Sequence, residues 1–182
     1  MSTTTVTTAD ELALLSDATA RYELIRGELI TMTPPGWKHG TVAMRVGFIF
    51  STFVEENQLG RAFAAETGFL LERDPDTVLA PDFSFISKAS WPDKEPSQAY
   101  WPGPPDFCVE VVSKSDRPKS TREKAEQWIK FGCCLVWVID PAEETIEVFT
   151  PNDDSRIFIG DESISGDPVL PGFECRVSDF FL

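Results

Sequence analysis

Phe107-Cys108-Val109-Glu110-Val111-Val112, followed by Leu135-Val136-Trp137-Val138-Ile139, decides the fold class of this chain. Both runs are apolar along almost their whole length, as strands covered on both faces are. Between them Ser120-Thr121-Arg122-Glu123 reads as a capping box, opening a helix that runs to Phe131 and stops at Gly132. Apolar strands with a helix between them predict an α/β domain on a central mixed sheet. The first strand also carries an anomaly, because Glu110 stands in its middle. Period-two alternation sets it on the face of Cys108 and Val112, with Val109 and Val111 opposite. A carboxylate left alone there costs several kcal/mol, so it must be paired, protonated or metal-bound.

Upstream, Pro81-Asp82 precedes Phe83-Ser84-Phe85-Ile86. Proline is tolerated at the first position of a strand and pins Asp82 at the strand mouth. Aspartate at such a place is also a common turn former. Two acids on neighbouring strands would make the oxygen-rich, partly open site that magnesium prefers, and a lysine beside them suits a phosphodiester. Lys124 supplies it. With Ser120 as N-cap, Lys119, Arg122 and Lys124 crowd the positive end of the helix dipole, unfavourable by roughly 0.3–1 kcal/mol each where exposed. Either Glu123 and Glu126 offset this, or the cluster awaits an anion such as phosphate.

The rest of the chain frames these parts. Thr8 to Glu11 reads as another capping box, opening a helix to about Ala20. Tyr22–Ile25 and Glu28–Met32 read as a hairpin turning at Arg26-Gly27. Val42, Val46, Ile49, Phe50, Phe53 and Val54 recur at helical spacing between about Lys38 and Leu59, with Gly60 as the expected stop. Strands follow around Gly68, then a turn at Asp74-Pro75-Asp76. Trp91 to Pro105 reads as a loop whose Trp91, Tyr100 and Trp101 either pack locally or stack on bases. Beyond Ile139, Thr145–Phe149 pairs back through Pro141-Ala142, and short strands close one edge.

With 182 residues the chain is read as one domain, residues 1–182, with 1–7 as a flexible start. The polar, Thr-rich beginning lacks the pattern of a signal peptide, and no apolar run is long enough to span a membrane, so a cytoplasmic protein is expected. Cys108, Cys133, Cys134 and Cys175 form no Cys-x-x-Cys pair and His39 is the lone histidine, which argues against structural zinc. Cys133-Cys134 reads as two reduced core thiols. A net charge of −14 argues against loose, non-specific DNA binding. The segment from Val111 to Lys130 is locally basic all the same, with Lys114, Arg117, Lys119, Arg122, Lys124 and Lys130.

Several stretches occur together in a recognisable order: Tyr22-Glu23-Leu24-Ile25-Arg26-Gly27-Glu28-Leu29, Pro34-Pro35 ahead of His39, Pro81-Asp82, Pro105 to Ser113, Arg122-Glu123-Lys124, Val136 to Pro141, and Leu170-Pro171-Gly172-Phe173. In this order the chain resembles the Uma restriction-endonuclease family of the PD-(D/E)XK nuclease superfamily, from about Thr8 to Leu182. The resemblance implies a restriction-endonuclease-like core, often homodimeric, that cuts DNA with Mg2+ or Mn2+. It implies Asp82 and Glu110 as metal ligands, Lys124 as the lysine that stabilises charge or places the attacking water, and Glu23 as a supporting acid. His39 matches a histidine common in the family, as a packing residue or a phosphate contact. Lys114, Lys119 and Arg122 are further candidate substrate contacts. Where the superfamily's Glu-x-Lys would put lysine stands Val112, and Trp128 replaces a tyrosine common after the helix lysine. A nuclease-like module that binds or assembles without cutting is the alternative expectation.

Overall fold

The computed structural model describes residues 6–15, 20–93, 96, 99–113 and 118–181. Its elements run α1 (Ala9–Ala13), β1 (Arg21–Ile25), β2 (Glu28–Met32), α2 (Trp37–Glu56), β3 (Gly60–Ala64), β4 (Phe69–Glu72), β5 (Thr77–Leu79), β6 (Phe83–Ser87), β7 (Trp101–Pro102), β8 (Phe107–Val111), α3 (Pro118–Lys130), β9 (Leu135–Asp140), β10 (Thr145–Phe149), β11 (Arg156–Ile159), β12 (Ser163–Ser165) and β13 (Glu174–Arg176), closed by a 3-10 turn over Val177–Phe180. The central sheet has six strands in the order β11-β10-β9-β8-β6-β3. It is mixed: β8 and β9 run parallel, with α3 as their crossover, while β6 pairs antiparallel to β8. A second sheet, ordered β2-β1-β5-β4-β7, stands beside it.

Alternation along β8 sorts the interior into two layers. Phe107, Val109 and Val111 pack with Val42, Val46, Phe50 and Val54 of α2. Cys108 faces the other way, among Ala125 and Trp128 of α3 and Phe69 and Leu79 of the second sheet. Phe50 is the hub of the first layer, with its ring 4.9 Å from Phe107, 5.3 Å from Trp137 and 4.7 Å from Phe173. Removing such a ring costs about 3–5 kcal/mol. Glu110 points into the second layer, so it meets α3 and the second sheet rather than α2.

Several expectations are revised. The first helix has its capping box but ends at Ala13 rather than near Ala20. Leu14 is 82% exposed, so a further turn would have no core to pack on. Helix α2 stops at Glu56, and Gln58, not Gly60, takes the left-handed conformation with φ 51°. Gly60 serves a different purpose, since a Cβ there would lie 2.1 Å from the Ile86 carbonyl oxygen across the β3–β6 pair. Helix α3 begins at Pro118, so Ser120 lies inside it and is not its N-cap. Proline is well suited to open a helix, because its missing N–H is not needed there. Of the start read as flexible, residues 1–5 lie outside the described residues. Val6 is buried against Ala9, Leu12 and Leu24, and the Thr7 N–H donates to Glu11. Cys133 is buried but Cys134 is exposed, so only one of the pair is a core thiol. The hairpin turns as read, with Arg26 and Gly27 both at positive φ.

Candidate functional site

Five segments far apart in sequence end at one cavity of about 640 Å³, whose wall includes Glu23, His39, Asp82, Glu110 and Lys124. Glu110 arrives from the centre of β8, and Lys124 from the face of α3 that covers it. Glu23 comes from β1, and Asp82 from the link between β5 and β6. The hub is the Lys124 ammonium. It lies 2.8 Å from Glu23 Oε1 and 2.9 Å from Glu110 Oε1, and it donates to Glu110 Oε2 at 3.0 Å and to the Ala80 carbonyl at 3.0 Å. Two carboxylates and a carbonyl thus share the three donors of an ammonium. The reading of Lys124 as a cation awaiting an anion at a helix end is therefore replaced: α3 starts earlier, and two acids already surround the ammonium.

The acids are held by further bonds. Glu23 Oε1 also accepts the Ala80 N–H at 3.0 Å. Glu110 Oε1 accepts the indole N–H of Trp128 at 2.7 Å. Asp82 Oδ2 accepts the Val111 N–H at 2.8 Å and lies 3.1 Å from His39 Nε2. Trp128 was not expected in this role. One signal was present, because residues 124 and 128 share a helix face at i, i+4. A tryptophan at the tyrosine position was a hydrogen-bond donor for the strand acid.

Electrostatics follow from three carboxylates gathered about one ammonium. Burial pushes the Glu110 carboxyl up to about 7, against the pull of Lys124 and with added repulsion from Asp82 and Glu23. Burial also works to raise Asp82, but the His39 hydrogen bond and charge, the Val111 N–H and Lys124 outweigh it and hold that carboxyl below its usual range. Lys124 is held well above the ordinary lysine range: burial disfavours the ammonium, and Glu110 and Glu23 more than reverse it. Glu110 is thus held back from ionising chiefly by burial and further by its neighbouring acids, both of which an added cation would offset.

The donor set fits a hard divalent ion. Asp82 and Glu110 offer carboxylate oxygens, the ligands Mg2+ and Mn2+ take. Among the described residues no group of three His, Cys, Asp or Glu side chains is placed to hold a metal. Two protein carboxylates completed by water and a phosphate is the usual arrangement for Mg2+. Arg122 does not line the cavity; it pairs with Glu147 and Glu126 and donates to Ser155. Lys114 lies outside the described residues, as does the side chain of Lys119. In the aromatic loop, Trp91 and Trp101 pack on each other at 4.8 Å, and Trp91 lies 6.4 Å from Phe63 and beneath the Arg61 guanidinium at 4.1 Å. That is local packing. No described helix is long and apolar enough to cross a membrane.

Comparison with known proteins agrees with this architecture. The fold matches a crystal structure of a putative nuclease belonging to DUF820 from Anabaena variabilis ATCC 29413, with a TM-score of 0.83 and 22% identity over 96% of this chain and 97% of that one. At that identity the likeness establishes the fold, which is restriction-endonuclease-like. No curated protein matches the chain. Residues 9–178 match the profile of Uma2, described as putative restriction endonuclease, and this chain belongs to that family.

Proposed function

We propose that this chain is a divalent-metal-dependent endonuclease that hydrolyses DNA phosphodiester bonds. The observation that carries the reading is the meeting of Asp82, Glu110 and Lys124 at one cavity wall from three separate elements. Asp82 and Glu110 are the residues that would hold Mg2+ or Mn2+. When bound, such an ion supplies an activated water and neutralises phosphate charge. Lys124 puts a permanent positive charge at the cavity wall, where charge develops on the reacting phosphate. Glu23 fixes that ammonium, and Trp128 fixes Glu110. The test is cleavage of duplex, hairpin and single-stranded DNA with Mg2+ or Mn2+. Cutting that disappears in Asp82→Ala and Glu110→Ala is the expected result. No cutting of any form, with DNA binding indifferent to metal and to Glu110→Gln, would leave a binding module instead.

Four free thiols suit a reducing compartment, which supports a cytoplasmic location. The chain also pairs with itself in this reading. Trp37, Met44 and Phe48 are 78%, 73% and 59% exposed along the outer face of α2. The helix carries Lys38 near its start and Glu55 and Glu56 at its end. Two copies packed antiparallel would set Met44 against Phe48 and bring opposite charges together, the self-complementarity a two-fold interface needs. Sedimentation should show a dimer that Phe48→Glu converts to monomer.

A further inference from the structure

His39 sits on the inner face of α2, with Val42, Val46, Phe50 and Val54, and is buried. Burying an imidazole in an apolar layer has to be offset by a partner. Its Nδ1 is buried without a hydrogen bond, and among the described residues Nε2 carries the polar contact of the ring, 3.1 Å from Asp82 Oδ2. That oxygen acts as an acceptor, since a backbone N–H also donates to it. A carboxylate accepts, so the ring donates to it through Nε2–H. The Val111 N–H donates to the same oxygen at 2.8 Å. Both described bonds therefore converge on Oδ2 and leave Oδ1 as the oxygen they do not use.

We propose that His39 is a positioning residue: with the Val111 N–H it clamps Asp82 Oδ2, so that the carboxylate offers Oδ1 to a cation in one fixed orientation. This moves His39 away from substrate contact, and it rests on the reading of Asp82 as a metal-holding acid. A histidine that acts on a ligating carboxylate through a hydrogen bond belongs to the outer shell, where replacement costs roughly 10–100-fold in metal affinity.

Mn2+ titration calorimetry, which needs no activity, tests the proposal. His39→Phe keeps ring volume but cannot donate, and should weaken Mn2+ by about tenfold or more. His39→Gln, whose amide can donate to Asp82, should recover most of that loss. Mn2+ binding by His39→Phe at wild-type strength would overturn the proposal, as would an equal loss in His39→Gln. Should His39→Phe fail to fold, pulsed EPR of Mn2+ in the wild-type protein decides. Absence of nitrogen coupling is expected, and a directly coupled imidazole nitrogen would make His39 a ligand and sink the clamp. Failure of the underlying reading looks different: Asp82→Ala would itself bind Mn2+ undiminished.

Discussion

Two buried carboxylate clusters in this molecule look alike in a burial profile and differ in every other respect. Asp76, in the turn ahead of β5, accepts the Ala9 N–H at 2.8 Å and Arg73 Nη1 at 3.0 Å on one oxygen, and the Asp74 N–H at 3.3 Å on the other. One acid is surrounded by donors, and its task is to tie the first helix to a turn. Around Lys124 the ratio is reversed. Glu23, Glu110 and Asp82 gather near one ammonium at a cavity wall. A cluster with donors to spare is structural, and a cluster with acceptors to spare is where the proposed cation would sit.

The harshest test of that contrast is Lys124→Met. It leaves Glu23 and Glu110 buried without their counter-charge, which costs about 3–5 kcal/mol. Urea unfolding at pH 8 should show this loss, and added Mn2+ should restore part of it. A stability unchanged by the substitution would mean the acids are not in tension.

The second expected effect is a pH dependence. Glu110 titrates near 7 in the fold, above its ordinary 4.5. Its protonated form therefore stabilises the fold fully below about 4.5, and this contribution is lost as pH rises through 7. Without metal, stability should decline across that window by on the order of 3 kcal/mol at most. Glu110→Gln should flatten the slope. Mn2+ should flatten it too, because an ion at the ionised carboxylate takes the place of the proton.

Smaller still, Asp76→Ala should cost about 1–3 kcal/mol through orphaned donors. It should leave Mn2+ affinity untouched in calorimetry, and any loss there would blur the line between the two clusters. Trp128→Phe is the mildest, at about 1–2 kcal/mol for one hydrogen bond to a charged acceptor. It should lower Mn2+ affinity, because Glu110 loses the group that fixes its orientation.

The same contrast bears on which parts of the molecule are legible in its sequence. Glu110 was conspicuous because strand alternation placed a charge among apolar residues, and the structure puts it on the face that alternation assigned. The hairpin at Arg26-Gly27 and the β8–α3–β9 unit were legible for the same reason: local periodicity and turn chemistry are written in neighbouring residues. The second sheet was not legible. Thr77–Leu79 and Phe83–Ser87 are separated only by Ala80-Pro81-Asp82, yet they belong to different sheets. Nothing local distinguishes a strand that continues from a chain that crosses over. The partners of Lys124 were hidden for a related reason, since its bonds to Glu23 and Ala80 join residues with no pattern in common. Gly60 misled because glycine after a helix is usually a stop, whereas here a strand passes too close for a side chain.

Ala80 lies on the crossing between the two sheets, its N–H bound to Glu23 and its carbonyl to Lys124. One peptide segment thus stitches the acid of the outer sheet to the cation of the α3 layer. A partly folded chain that has built only the central sheet already brings Asp82 beside β8 and Glu110, but it lacks Glu23 of the second sheet. The Lys124 ammonium therefore gains its full set of partners only when both sheets and α3 are in place.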